Sequence, residues 1–414
     1  MEASVGEASH RHAYLGQTGD VDGAGSGNGS CLQAGTRTEL SIYPMQRTVI
    51  FPGECCPLIM PSDRARLLME SVLNAPNPYK RLFGMLHFNL SSRVGCTVEL
   101  LQVGDVNAEG GEDGGGGTSI LVRAHQRFEI RDISLDSMIR VDRSGLLRCG
   151  VTILEDEPPN RIPRHVRESS SFWAKDFYRP FDAWRMLREV ERLYADLFPD
   201  HGGENAELSL LMDDPVQFSF FVAARLPLNA NKQQRLLEAR HCSLRLLREM
   251  KWMTQMLERK QLNCCWCHRR VATSSDIFKM NREGATGVFV NNHGALHDIV
   301  TIHEVQGVDL QGGPETAHSW FPGYAWTIAV CDHCGNHLGW RFTRCSQGGG
   351  PQLECFWGLR RDALALPNDE KNEGEGGNDY GDVASSTYSD EEETTEEEDV
   401  GEREIDSFGV MDVD

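Results

Sequence analysis

The chain has no run of about 18 apolar residues, the length a helix needs to cross a bilayer, and Met1 to Gly29 holds no apolar core of the kind a secretory signal needs. A protein kept inside the cell, with no membrane as partner, is therefore expected. No stripe of Lys and Arg marks a nucleic-acid surface. No G-x-x-x-x-G-K-[ST] phosphate loop occurs, which excludes that route to ATP hydrolysis. His303-Glu304 begins a zinc-protease signature, but Gly307 stands where its second histidine belongs. The two N-glycosylation patterns, at Asn28 and Asn89, carry no meaning in a chain that is not secreted.

What is present is a length of 414 residues, enough for about two domains and tails. The net charge of -21 is concentrated: Asp369 to Asp414 carries nearly all of it, against only Lys371 and Arg403, and the body is close to neutral. A segment so rich in acid, Gly and Ser, with runs at Asp390–Glu393 and Glu396–Asp399, cannot bury enough apolar surface to fold. It is expected to be a disordered tail over 367–414, serving solubility or, if phosphorylated near Ser389, regulation. The Gly-rich start, as in Gly23 to Gly27, predicts a loose arm over 1–38.

Between these ends the pattern changes twice. Short β-branched or aromatic runs at Leu40–Val49, Leu58–Met60, Arg81–Phe88, Thr97–Val103, Ser119–Arg123 and Phe128–Ile133 predict strands, split by turns such as Gly110–Gly117, with a short helix over Arg64–Leu73. From about Trp173 the period becomes helical. Trp184, Leu187, Val190, Leu193 and Leu197 share one helix face. Asp214-Pro215 reads as N-cap and first turn of a helix to Arg225 that Leu226-Pro227 ends. A single long helix over Lys232–Arg259, with an apolar stripe at Leu236, Leu244, Leu247, Met250 and Leu257, would space two halves apart. The fold class is α+β.

The chemistry starts at Cys264. Thirteen cysteines, an odd number in a chain expected to stay in a reducing compartment, point to thiols and metal ligands before disulfides. Cys264-x-x-Cys267 and Cys331-x-x-Cys334 are two knuckles whose spacing lets both sulfurs of a pair reach one tetrahedral ion at about 2.3 Å. The long gap threads a β-domain between them. Four sulfurs close the coordination shell, so one structural Zn(2+) is expected and no catalytic one. Cys265 and His268 flank the first knuckle as bystanders, and four ligands fall short of the eight of a cross-braced RING.

Around the second knuckle aromatic residues crowd: Trp320, Phe321, Tyr324, Trp326, Trp340, Phe342, Phe356 and Trp357. Trp340 and Phe342 share a strand face, and Pro322-Gly323 forms a turn that brings Trp320 and Trp326 together. Three indoles so placed are either core or a box for a cation or a flat neutral ring.

The runs His318 to Trp326, His337 to Phe342 and Phe356 to Leu359, with the knuckles between them, closely resemble the thalidomide-binding (CULT) domain of the cereblon family over about Cys264–Leu366. His12-Ala13-Tyr14-Leu15-Gly16 and Pro215–Leu247 resemble that family's Lon N-terminal-type domain. The resemblance implies a Lon N-terminal-like β-rich domain over 39–260, including a helical adaptor-binding segment at about 172–200, and an all-β, zinc-containing CULT (β-tent) domain over 261–366. It implies a non-catalytic substrate receptor of a cullin-4 RING E3 ubiquitin ligase, in cytoplasm and nucleus, bound to the β-propeller damaged-DNA-binding adaptor. Its ligands would be C-terminal cyclic imides on client proteins and thalidomide-type glutarimides. Trp320, Trp326 and Trp340 would be the walls, Phe342 the floor, and His318 with the Trp320 backbone would hydrogen-bond the imide. Asn291 and His293 would belong to a rim loop, in which Asn292 replaces the usual proline, and Ala317 stands where an acid is common. Only Phe181–Leu197 resembles the adaptor-binding insertion, which is shortened here.

Two rival functions remain. The zinc β-fold also resembles methionine sulfoxide reductases, which need a nucleophilic thiol, and the cage strands offer only Cys345 and Cys355 outside any motif. A methyl-lysine reader would use the same tryptophan box, against which stand the histidine and the lack of an acid nearby.

Overall fold

The computed structural model describes residues 12–15, 18–21, 31–45, 48–87, 92–106, 117–131, 140–141, 146–156, 182–198, 211–280, 284–345 and 353–366. The Gly23–Gly27 run, most of Gly110–Gly117, residues 172–181 and the acidic tail lie outside them.

The N-terminal half is built on one sheet of strands β1 (Thr18–Asp20), β2 (Arg37–Met45), β3 (Cys55–Pro61), β4 (Leu82–His87), β5 (Val94–Val106), β6 (Gly117–Ile130), β7 (Arg140–Val141) and β8 (Leu147–Ile153), with helix α1 (Ser62–Leu73) after β3. Its order β1-β5-β4-β2-β8-β6-β3 gains a further β5–β6 pairing, so β5, β4, β2, β8 and β6 close on themselves as a barrel. Closure leaves those strands no open edge. Ile42, Leu82, Phe128, Val151 and Ile153 form a small core of their own. The sequence run Ser119–Arg123 and the first three residues of Phe128–Ile133 prove to be parts of one long strand, β6, and β8 joins the strands that the pattern predicted; residues 132–133 lie outside the described residues.

Part of the expected loose arm is ordered. Ala13–Leu15 is a 3-10 turn with Leu15 buried, and β1 pairs with β5. Tyr14 and Leu15 give this segment apolar surface to bury, and the β1 backbone finds partners in a neighbouring strand.

Four helices follow: α2 (Ala183–Leu197), α3 (Pro215–Arg225), α4 (Ala230–Glu238) and α5 (Cys242–Arg259). Asp214 caps α3, accepting from the N–H groups of Val216 and Gln217 with Pro215 in the first turn, as the sequence predicts. The α2 face of Leu187, Val190, Leu193 and Leu197 is buried, with Trp184 half-buried. The single helix expected over Lys232–Arg259 is two. Arg127 donates to the carbonyls of Leu237 and Ala239, both at 2.8 Å, and Arg245 donates to that of Ala239 at 3.2 Å. These guanidinium groups satisfy the end of α4, so the chain can turn there before His241. The expected stripe is also displaced. Leu244, Leu247, Met250 and Leu257 are half-buried, and the buried face of α5 is Cys242, Arg245, Leu246, Glu249, Met253 and Met256. Buried charge hid that face from a hydrophobic-periodicity reading. Among the described residues no helix is long and apolar enough to cross a membrane.

The C-terminal half holds a three-stranded sheet, β10 (Arg270–Thr273), β9 (Gln261–Cys264) and β17 (Leu364–Ala365). Beside it is a six-stranded antiparallel sheet in the order β11 (Thr286–Val290), β12 (Leu296–Ile302), β16 (Cys355–Arg360), β15 (His337–Arg344), β14 (Tyr324–Cys331) and β13 (Val308–Glu315). α5 does not hold the halves apart: they share one large apolar core. Arg361 crosses between them. It pairs with buried Asp298 and donates to the carbonyls of Ala224, at 3.0 Å, and Leu226, at 2.7 Å, at the end of α3.

Candidate functional site

The two knuckles are conformational copies. In the first, Cys264 N–H donates to Arg269 C=O at 2.8 Å and His268 N–H to Cys264 C=O at 2.9 Å. In the second, Cys331 N–H donates to Asn336 C=O and Gly335 N–H to Cys331 C=O, both at 2.9 Å. The residue four after each leading cysteine is left-handed, His268 at φ 59° and Gly335 at φ 72°. His268 therefore has a backbone role and stays outside the sulfur cluster, as does Cys265.

The Sγ atoms of Cys264, Cys267, Cys331 and Cys334 all lie within 4.8 Å of one another. The cross pairs Cys264–Cys334 and Cys267–Cys331 are 3.7 and 3.5 Å apart. A tetrahedral ion with Zn–S bonds of about 2.3 Å demands sulfur separations of about 3.8 Å. The cluster thus fits a metal ion held by four sulfurs, consistent with a structural zinc site. Burial pushes the Cys264 and Cys267 thiols up. The Asn336 backbone N–H pulls Cys334 down to about 6, helped by the Asn336 side-chain amide, 3.4 Å from Sγ. Arg269 and Asp332, one from each knuckle, pair at 3.0 Å across the exposed side.

The aromatic residues sort into core and wall. Phe342 is 1% exposed, stacked on Phe356 at 5.1 Å and met edge-on by Phe321 at 4.8 Å. With Tyr324 these rings form the packed floor. Trp357 belongs to the other core, beneath the sheet. Above the floor, Trp320 and Trp340 meet edge-to-face at 4.8 Å, and Trp320 stacks on Phe289 at 5.3 Å. Trp326 lies directly across β14–β15 from Phe342, while Trp340 lies across from Ile328, so all four side chains share one sheet face. The turn from Phe321 to Tyr324 is closed by the Tyr324 N–H to Phe321 C=O bond at 3.0 Å, and Gly323 takes φ 86°, which favours glycine.

The indole N–H groups are spent on holding the walls. That of Trp320 donates to Val290 C=O at 3.0 Å and that of Trp326 to Ala317 C=O at 2.9 Å. What they present is ring face. His318, exposed two residues before Trp320, has φ 55°, a left-handed conformation that costs a non-glycine residue energy and that clusters at binding sites. Asn291 is engaged in its own turn: its side-chain oxygen accepts from His293 N–H at 3.1 Å and Ala295 N–H at 2.8 Å, which shapes the β11–β12 hairpin.

His337, which opens the His337–Phe342 run, meets Trp340 edge-on at 4.7 Å. Two further aromatic residues at the site escaped the sequence reading: His297 meets Trp340 edge-on at 4.9 Å and Trp320 at 5.5 Å, and Phe289 backs Trp320. Strand pairing brings them there, and no motif marks them. One expectation is corrected: an acid does stand beside the box, since Glu315 is the cross-strand partner of Trp326 in the β13–β14 register. His303, of the incomplete protease signature, stacks on Phe278 at 3.9 Å.

Residues 39–255 match the ATP-dependent protease La (LON) substrate-binding domain. That is more than half of the chain, and the chain belongs to this family. The family is named for substrate binding, and the match together with the likeness to cereblon supports a non-catalytic, substrate-receptor role. The chain is 36% identical over 212 residues to the protein cereblon of Gallus gallus, covering 51% of this chain and 45% of that one. It is 27% identical over 372 residues to the protein cereblon of Xenopus tropicalis, covering 83% of this chain and 81% of that one. It thus spans less than half of the first and about four-fifths of the second. Among solved structures, the N terminal domain of Mycobacterium avium complex Lon protease aligns with TM-score 0.36 and 17% identity, over 52% of this chain and 98% of that chain.

Proposed function

We propose that this chain is the substrate-recognition subunit of a cullin-4 RING E3 ubiquitin ligase complex, directing client proteins to ubiquitination and proteasomal degradation. In this reading 39–260 is the Lon N-terminal-like domain and 261–366 a CULT (β-tent) domain with one structural zinc. Clients carrying a C-terminal cyclic imide, and glutarimides of the thalidomide type, bind between Trp320, Trp326 and Trp340, with His318 and the Trp320 backbone addressing the imide edge. The observation that carries the reading is the set of indoles pinned by Val290 and Ala317 so that their faces, not their N–H groups, are offered beside a left-handed His318. Flat walls over a buried floor suit a flat, neutral ring.

Titration of the full chain with a glutarimide, a trimethyl-lysine peptide and a methionine sulfoxide peptide tests it, with indole fluorescence as the readout. Quenching by the glutarimide alone is expected. Glu315 beside Trp326 favours one second reading, a methyl-lysine reader, because an acid at an aromatic box suits a quaternary ammonium; tighter binding of the trimethyl-lysine peptide would establish it instead. Turnover of the sulfoxide would favour the reductase.

The β-propeller adaptor is assigned to the helical region that includes α2. Pull-down should recover the adaptor from cytoplasmic and nuclear fractions, and substitution of the half-buried Trp184 by a polar residue should weaken that contact. A folded chain that recovers no adaptor would end the ligase assignment and leave the pocket standing.

A further inference from the structure

The three tryptophan walls are not held alike. Trp320 and Trp326 are pinned through their indole N–H groups, to Val290 C=O and Ala317 C=O. Among the described residues the indole N–H of Trp340 has no such partner, so the packing around it sets the angle of this ring. Three rings meet it edge-to-face: Trp320 at 4.8 Å, His297 at 4.9 Å and His337 at 4.7 Å, the last at 85°.

A β-bulge brings His337 to that place. The β14–β15 ladder steps from Ala329↔Gly339 to Val330↔His337, which leaves Leu338 as the extra residue. In a regular strand His337 and Trp340, three apart, would point to opposite faces. With the step, His337 stands opposite Val330 and Trp340 opposite Ile328, and positions two apart on β14 share a face.

The imidazole is fixed at both nitrogens. Nε2 lies 2.9 Å from the Gly339 carbonyl oxygen, which can only accept, so Nε2 carries the hydrogen. Nδ1 lies 3.3 Å from Arg360 NH1, which can only donate, so Nδ1 accepts. The same NH1 donates to His337 C=O at 3.3 Å. Arg360 Nε and NH2 donate to the two carboxylate oxygens of Asp362 at 3.0 and 2.5 Å. Arg360 is buried and each of its guanidinium nitrogens is committed, so the fork cannot turn without breaking a bidentate ion pair. Asp362 fixes Arg360, Arg360 fixes His337, and the edge of His337 sets the face of Trp340.

We infer that His337 is the positioning residue of the third wall, and that Arg360 and Asp362 act on the ligand site only through it. This rests on the reading of the tryptophans as a ligand site. A ring whose indole makes no hydrogen bond is free to tilt about its side-chain torsions. Tilt opens a gap over a flat ligand, and dispersion is lost within an ångström of separation. His337 removes that freedom before a ligand enters, which leaves less ordering to weaken binding.

The test follows two signals in the full-length, zinc-saturated chain. One is the affinity for an unsubstituted glutarimide. The other is the near-UV circular dichroism of the Trp320–Trp340 pair, taken as the part of the spectrum that Trp340→Phe removes; it reports the angle between two indoles and needs no ligand. His337→Ala is expected to weaken binding about tenfold, the upper size of one aromatic edge contact, and to diminish the pair signal. His337→Gln keeps an amide donor and acceptor but no ring, and should behave like His337→Ala. His337→Phe restores an edge and should return binding to within about threefold of native. Either signal unchanged in folded His337→Ala overturns the inference. If His337→Ala does not fold, the Phe and Gln variants decide, and equal behaviour of the two overturns it. If the native chain binds no glutarimide, the ligand reading fails, and the pair signal alone judges the role of His337.

Discussion

The barrel half and the knuckle half solve the same problem by different means. The barrel closes its sheet and buries charge to fix its connections: Arg127 and Arg245 terminate α4, and Arg81–Glu99 is sealed into the wall. The knuckle half gathers four sulfurs to join β9 to the loop after β14, and stacks rings upon rings in the sheet face between. One half is specified by packing and satisfied polar groups. The other is specified by a cross-link and by aromatic geometry, which leaves ring faces available to a ligand.

Metal removal should break the comparison most visibly. Binding free energy at four-thiolate sites is folding free energy, about 10 kcal/mol or more. One zinc per chain should copurify, and chelation or Cys331→Ala should abolish the near-UV signal of the tryptophan-bearing sheet while far-UV signal from the helices persists. A metal-free chain with the native near-UV spectrum would contradict this.

The join between the halves comes next. Arg361→Ala would leave Asp298 buried without its counter-charge and strip the carbonyls of Ala224 and Leu226 of their donor. A loss of about 3–5 kcal/mol is expected from the urea midpoint. Arg361→Met combined with Asp298→Leu should recover most of it. A single substitution costing nothing would mean that the halves stand independently.

The smallest effect is a titration at the same join. Burial, opposed by the Phe51 N–H that donates to it at 2.7 Å and by Arg361, pushes the Glu54 carboxyl up to about 7. The folded state then binds more protons than the unfolded state between the ordinary carboxyl range and about pH 7, so stability falls as pH rises through that window and levels off above it. The side chain is only half-buried, so the loss should be no more than about 2 kcal/mol. Glu54→Gln should flatten the profile of melting temperature against pH, and an unchanged slope would remove Glu54 from the account.

The difference between the halves also explains what could be read from the sequence. The knuckles were legible because spacing alone dictates which sulfurs share an ion. The Phe321–Tyr324 turn was legible because Pro322-Gly323 prescribes it. The α4–α5 break was not, because its cause, Arg127, lies more than a hundred residues away in β6. The buried face of α5 was misread because Arg245 and Glu249 look like solvent residues until the packing is seen. His297 and Glu315 were missed for a related reason: strand register, and not any motif, brings them to the tryptophans.

The most direct measurement is the affinity of an unsubstituted glutarimide and its N-methylated counterpart for the native chain and for Trp340→Ala. Methylation removes the imide donor and leaves a protein acceptor unpaired, which costs about 1–3 kcal/mol. Loss of the Trp340 wall should cost about 2 kcal/mol, roughly thirtyfold in Kd. The account predicts that the unmethylated ring binds the native chain and that either change weakens it steeply. Equal affinity for both rings, with Trp340→Ala neutral, would contradict it and make these tryptophans core alone.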